Sequence, residues 1–220
     1  MAKVGVILSG CGFLDGAEIY ETVLTLLHLD KAGAEVVAMA PDKNQHHVVN
    51  HIEGEETGET RNILVESSRL MRGNIKNINE VEVSELDALI LPGGFGVAKN
   101  FCSFAFEGPN CSFDEEIAKM VLDVHNQGKP VGAICISPAL IAKIFEKIKS
   151  VKLTIGTDEG IANAVTSLNA NHIVCEETDC VVDIENKIVT TPAYNISGVK
   201  IANVEQGISK LVSEVLSMIS

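Results

Sequence analysis

Apolar runs alternate along the chain with segments whose apolar residues recur at helical spacing. Residues 4–8, 34–40, 87–91, 131–134 and 151–155 read as buried strands, because their apolar character is nearly unbroken and Gly, Pro or Asp bound them. Between them, 17–32, 59–71, 114–127, the segment from Ser137 to about Phe145, 158–168 and 199–218 carry apolar faces at helical period. Ile75 and Ile78 mark a short strand or extended join. Near the C-terminus, 181–184 and 187–190 flank Glu185 and Asn186, the pattern of an antiparallel hairpin. Repeated strand and helix units with short joins predict a three-layer, doubly wound α/β sandwich. Its sheet is mostly parallel with an antiparallel C-terminal edge hairpin, and residues 1–220 form one domain.

Composition narrows the function. Seventeen Lys and Arg against thirty Asp and Glu give a net charge of −13, which argues against nucleic acid and gives no support to an anionic membrane surface. The six cysteines lack paired metal spacing, and the apolar content is high enough to need no disulfide staples. A reducing cytoplasm is the expected location. His46, His47 and His51 cluster in a polar stretch, but without a compelling ligand spacing, so no metal is expected. Neither a dinucleotide fingerprint nor a phosphate loop is present, and no cofactor is expected.

Chemistry concentrates at the C-terminal ends of the predicted strands, where ligands bind in open parallel sheets. The loop after the first strand carries Gly10, Cys11 and Gly12; that after 87–91 carries Gly93 and Gly94. Cys135 stands between the strand 131–134 and a helix opened by Ser137-Pro138, with Ala133 and Ser137 two positions to either side. Small neighbours suit a tight strand-to-helix elbow, and a helix N-terminus there would favour the thiolate and lower the thiol pKa. The alternative is an ordinary buried thiol. Glu18, just after the first glycine loop, is the carboxylic partner expected to carry protons for Cys135, or else a helix-terminal charge. Glu21, three residues on, is a lesser candidate. Cys11 and Gly12 could line the same cavity, with Cys11 either a redox partner of Cys135 or mere packing. Lys99 and Asn100 fall in an excursion that could form a pocket wall. No histidine lies beside Cys135 or between it and His172, which weakens a Cys-His hydrolase.

Gly16-Ala17-Glu18, Leu91-Pro92-Gly93-Gly94 and Ala133-Ile134-Cys135 together resemble the ThiJ/PfpI superfamily of glutamine-amidotransferase-like proteins. Ser9-Gly10-Cys11-Gly12, Thr60-Arg61-Asn62, Ala98-Lys99-Asn100, Ile155-Gly156-Thr157-Asp158 and Thr190-Thr191-Pro192-Ala193-Tyr194 resemble more closely the ElbB-like, isoprenoid-biosynthesis-enhancing family. The resemblance implies a flavodoxin-like sandwich, often a homodimer, with Cys135 as elbow nucleophile and Glu18 as its partner. It also implies an oxyanion or anion site at backbone N–H groups near Gly94 and Ile136. The associated activity is a cofactor-independent glyoxalase that turns glyoxal or a similar small dicarbonyl into a hydroxy acid, with a family-level link to isoprenoid metabolism. Better-known glyoxalase members bring a histidine after the strand following the elbow; here Asp158 stands in that stretch, to orient water or only to cap its helix. A noncatalytic redox-sensing or regulatory protein using Cys135, and a glutamine-amidotransferase-like subunit, are the alternatives.

Overall fold

The computed structural model describes residues 1–219. Its strands are β1 (Lys3–Ile7), β2 (Glu35–Ala40), β3 (Val49–Asn50), β4 (Glu55–Glu56), β5 (Lys76–Asn77), β6 (Ala88–Leu91), β7 (Val131–Ile134), β8 (Lys152–Leu153), β9 (Asn171–His172), β10 (Val181–Asp183) and β11 (Ile188–Thr191). The helices are α1 (Ile19–Lys31), α2 (Ile63–Leu70), α3 (Phe104–Glu107), α4 (Glu115–Asn126), α5 (Ser137–Phe145), α6 (Glu159–Ser167) and α7 (Ile201–Ser217). Seven strands form the central sheet in the order β10-β11-β7-β6-β1-β2-β5. Every pairing in it is parallel except β10 with β11. This is the expected flavodoxin-like sandwich with its antiparallel C-terminal edge.

Side-chain alternation along the strands divides the core in two. Val4, Val6, Ala88, Ile90 and Val189 face one side, where Leu24 of α1 and Val204, Ile208, Leu211 and Val215 of α7 cover them. Ile7, Leu89, Leu91, Val131, Ala133 and Ile188 face the other, under Val121 and Val124 of α4 and Leu140, Ile141 and Phe145 of α5. Because both faces are buried, the central strands are apolar at consecutive positions, which is why they were legible as continuous runs.

Local chemistry sets the helix starts. Asp114 caps α4 by accepting from the N–H groups of Glu116 and Ile117, and Asn62 caps α2 by accepting from Val65 N–H. The predicted helix 59–71 therefore begins later, at Ile63. The excursion after β6 contains a π-helical turn over Val97–Phe101 followed by α3. The polar stretch with three histidines folds as the β3–β4 hairpin. There His51 Nε2 accepts from Leu14 N–H at 3.3 Å, while His46 and His47 stack near Phe106.

Candidate active site

Cys135 has φ +62°, in the left-handed region that an L-residue adopts at a local cost. Several bonds fix the elbow there. Its N–H donates to Thr191 carbonyl oxygen at 2.9 Å, and Ser137 Oγ donates to Pro92 carbonyl oxygen at 2.8 Å. Ala133 and Ser137 are both fully buried, so the turn has no room for larger neighbours. The side chain of Cys135 is itself buried, and the backbone N–H groups of Gly94 and Ile136 donate to its sulfur.

The carboxyl that reaches its sulfur is that of Glu21. Glu18 was the expected partner, but its backbone is extended (φ −67°, ψ 122°), so it is the N-cap of α1 and its Oε2 accepts from Glu21 N–H at 2.6 Å. Starting the helix at Ile19 turns Glu21 inward. Glu21 is fully buried and hydrogen-bonded to Cys135. Its Oε2 accepts from Gly93 N–H at 2.9 Å and its Oε1 from Tyr194 N–H at 3.3 Å. Burial, then the neighbouring Glu18 charge, push Glu21 up to about 8, so it holds a proton at neutral pH. Burial and the Glu21 carboxylate push the Cys135 thiol well above its ordinary value, outweighing the Gly94 and Ile136 N–H groups that favour the thiolate. The helix terminus alone does not set this thiol, contrary to the sequence expectation. Because Glu21 opposes the thiolate only when ionised, its protonated form removes that repulsion and can donate its O–H to the sulfur.

A cavity of about 310 Å³ opens above the sulfur. Phe13, Phe95, Ala98, Phe104, Ala105, Ile136, Ile161 and Tyr194 supply most of its wall; Glu18, Gly94, Cys135 and Asn195 supply the rest. Glu18 thus faces the open volume while Glu21 faces the sulfur from behind. Burial raises the Glu18 pKa, against the lowering effect of the Glu21 and Tyr20 N–H groups.

The other sequence candidates fall in different places. Gly93 holds Glu21, and its carbonyl accepts from Glu18 N–H at 2.9 Å. Cys11 and Gly12 stand outside the cavity wall; Cys11 is half-buried beside Glu66, Arg69 and Asp15, and burial raises its pKa. Lys99 Nζ donates to Leu14 carbonyl oxygen at 2.8 Å, and Asn100 Nδ2 donates to the carbonyls of Ser9 and Asp15 at 2.9 and 3.0 Å. Both therefore brace the first glycine loop from outside the cavity. Asp158 is exposed and caps α6 by accepting from Ile161 N–H at 2.8 Å. Among the described residues no histidine lines the cavity. The excursion after β6 that was expected to form a pocket wall does so through Phe95, Ala98, Phe104 and Ala105, whereas Ile161 and Asn195 were not anticipated; only the closing of the sheet brings these separate segments together.

Comparison with known proteins assigns the family. The DJ-1/PfpI family matches residues 10–195, a span that holds both glutamates and the elbow cysteine. The chain belongs to the DJ-1/PfpI family. Over 99% of its length it is 41% identical to the mitochondrial ES1 protein homolog of Rattus norvegicus, covering 84% of that protein. It is 40% identical, again over 99% of its length, to the mitochondrial glutamine amidotransferase-like class 1 domain-containing protein 3 of Homo sapiens, covering 83% of it. A crystal structure of an isoprenoid biosynthesis protein with amidotransferase-like domain from Ehrlichia chaffeensis superposes with a TM-score of 0.94 at 39% identity, with both chains fully covered. This bears out the resemblance to the isoprenoid-biosynthesis-enhancing proteins. Glyoxalase III from Candida albicans shares the fold (TM-score 0.63, 19% identity, 100% of this chain and 98% of that one).

The mitochondrial relatives overturn the cytoplasmic expectation. Free thiols indicate reducing surroundings, and those do not single out the cytosol. Among the described residues no helix is long and apolar enough to cross a membrane.

Proposed function

We propose that this member of the DJ-1/PfpI family is a cofactor-independent glyoxalase-type enzyme acting on small dicarbonyls such as glyoxal. The observation that carries the reading is a strained, buried thiol hydrogen-bonded to a carboxyl raised to about 8, with a second carboxyl facing the cavity above it. In this reading the Cys135 sulfur attacks one aldehyde carbon and the thiol proton ends on the aldehyde oxygen, forming a hemithioacetal. The carbon-bound proton then moves to the adjacent carbonyl carbon through an enediol, leaving a thioester of the hydroxy acid. Water cleaves the C–S bond, releasing glycolic acid and restoring the thiol. One glyoxal and one water are consumed, and no electron acceptor is needed. In this reading Glu18 exchanges protons with substrate oxygen and carbon, while protonated Glu21 donates a hydrogen bond to the sulfur. The role expected of one carboxyl is divided between two.

The test is glycolate formation from glyoxal followed by carbon NMR. Wild type is expected to turn over many equivalents, and Cys135→Ser to lose at least about a thousandfold in kcat/KM. Turnover that survives in Cys135→Ser would remove the thiol from the mechanism.

A homodimer accompanies this reading. Ile19, Tyr20, Val23 and Leu27 leave an apolar stripe of α1 between 40% and 54% exposed, a face that a second copy would cover. Light scattering is expected to give twice the 23.5 kDa chain mass, and a monomer mass at working concentration would refute the dimer.

A further inference from the structure

We propose that the cavity above Cys135 selects α-oxoaldehydes bearing an uncharged aryl or branched alkyl group, rather than glyoxal itself. The inference rests on the glyoxalase reading for its chemistry and on the shape of the site for its selectivity. Glyoxal needs room only for two carbonyl groups at the sulfur, yet the space is about 310 Å³. Beyond Cys135, Glu18 and Asn195 its wall is mostly apolar, with Phe13, Phe95, Phe104, Ile136, Ile161 and Tyr194 as its large side chains. A small polar dicarbonyl would leave that wall wet, whereas an apolar substituent would remove it from water.

The mouth supports the same conclusion. Phe13 and Phe95 are each 47% exposed, although both follow tight glycine loops that could have carried polar residues. Phe95 N–H donates to Phe13 carbonyl oxygen at 2.7 Å, tying the two phenyl-bearing loops together. Lys99 Nζ lies 5.4 Å from the centre of the Phe95 ring. The two rings are thus held at the entrance instead of folding into the core. Charge narrows the class further. Among the described residues Glu18 is the only carboxyl in the wall, and the chain carries a net −13, so a carboxylate on the substituent would be opposed. For phenylglyoxal the chemistry balances as it does for glyoxal: one water is added, the aldehyde carbon becomes the acid carbon, and mandelic acid leaves with the thiol restored.

The test uses the intact chain and two independent readouts. Turnover is measured for phenylglyoxal, 4-carboxyphenylglyoxal and glyoxal. Alkylation of Cys135 by N-benzyliodoacetamide and by iodoacetamide is followed by peptide mass. Ala105→Trp fills the cavity from an exposed wall position and Ile161→Phe from a half-buried one, so a folding defect in one does not remove the test. Both fillers are expected to lower the phenylglyoxal-to-glyoxal ratio of kcat/KM by about tenfold or more, with a matching fall in the benzyl-to-unsubstituted alkylation ratio. The carboxylated substrate is expected to be slower than phenylglyoxal in wild type. Ratios that stay level in both fillers would overturn the proposal. If neither aldehyde is turned over but the benzyl reagent is preferred and that preference is lost in the fillers, the glyoxalase chemistry fails and the apolar selectivity stands.

Discussion

Glu18→Gln is expected to lower glyoxal turnover by about two to four orders of magnitude while leaving Cys135 alkylation within about twofold of wild type. Glu18 faces the cavity and acts on the sulfur only indirectly, through α1 and through its share, smaller than that of burial, in the Glu21 shift, so its loss should remove a proton carrier with little change in the nucleophile. Glu21→Gln should show the opposite signature. The buried Glu21 carboxylate raises the thiol pKa, so removing its charge is expected to lower the apparent pKa of Cys135 in a pH series of alkylation rates. Stability carries a second signature of the same residue. In the folded chain Glu21 keeps its proton up to about 8, and in the unfolded chain it releases it near 4.5. Its contribution is therefore whole below pH 4.5 and drains away as pH rises to about 8. Wild type is expected to lose stability relative to Glu21→Gln across that interval, by at most about 1.4 kcal/mol per pH unit. Parallel melting curves for the two proteins across that range, or an unchanged thiol profile, would separate Glu21 from Cys135 chemistry.

These opposed signatures also mark where the sequence stops being legible. The central strands could be read because β6 and β7 are buried on both faces and therefore apolar at every position, as β1 is from Val4 onward. Cys135 could be read because an elbow needs small neighbours, and Ala133 and Ser137 supply them in the sequence itself. The glutamates could not be ranked in this way. Residues three apart share a helix face, and which of them enters the core depends on where the helix starts. That start is decided by Glu18 taking the cap, a choice fixed by Gly93, which accepts from Glu18 N–H and donates to Glu21 from a loop over seventy residues away. Asn100 shows the same limit in reverse. A polar residue near a glycine loop suits a binding wall, but its amide is used up on the Ser9 and Asp15 carbonyls, which the turn leaves without backbone partners. The far side of the apolar wall was hidden for a different reason: Ile136, Ile161 and Tyr194 belong to separate segments and share no local pattern.

Gly94→Ala is the substitution expected to damage the fold most. The backbone of Gly94 sits at φ +99°, and a β-carbon there would lie 2.5 Å from Glu18 N and 2.9 Å from the Ala17 carbonyl carbon, besides striking the Gly16 carbonyl oxygen. All three are main-chain atoms at the entrance to α1, so no side chain can swing away to make room. Relief requires separating the β6 loop from the first glycine loop, and that also withdraws the Gly94 N–H from the Cys135 sulfur. A loss of about 4 kcal/mol or more is expected, equivalent to roughly 8–16 °C in Tm for a chain of this size. Gly33→Ala is the control. It too has a left-handed backbone, φ +70°, but its β-carbon would meet nothing within 4 Å, so only the conformational cost of about 1–2 kcal/mol applies. The decisive quantity is the difference between the two variants in thermal unfolding. Equal losses would mean that the loops at the site can part freely, and the close packing that aims Gly94, Glu18 and Glu21 at one sulfur would then not be what holds the site in place.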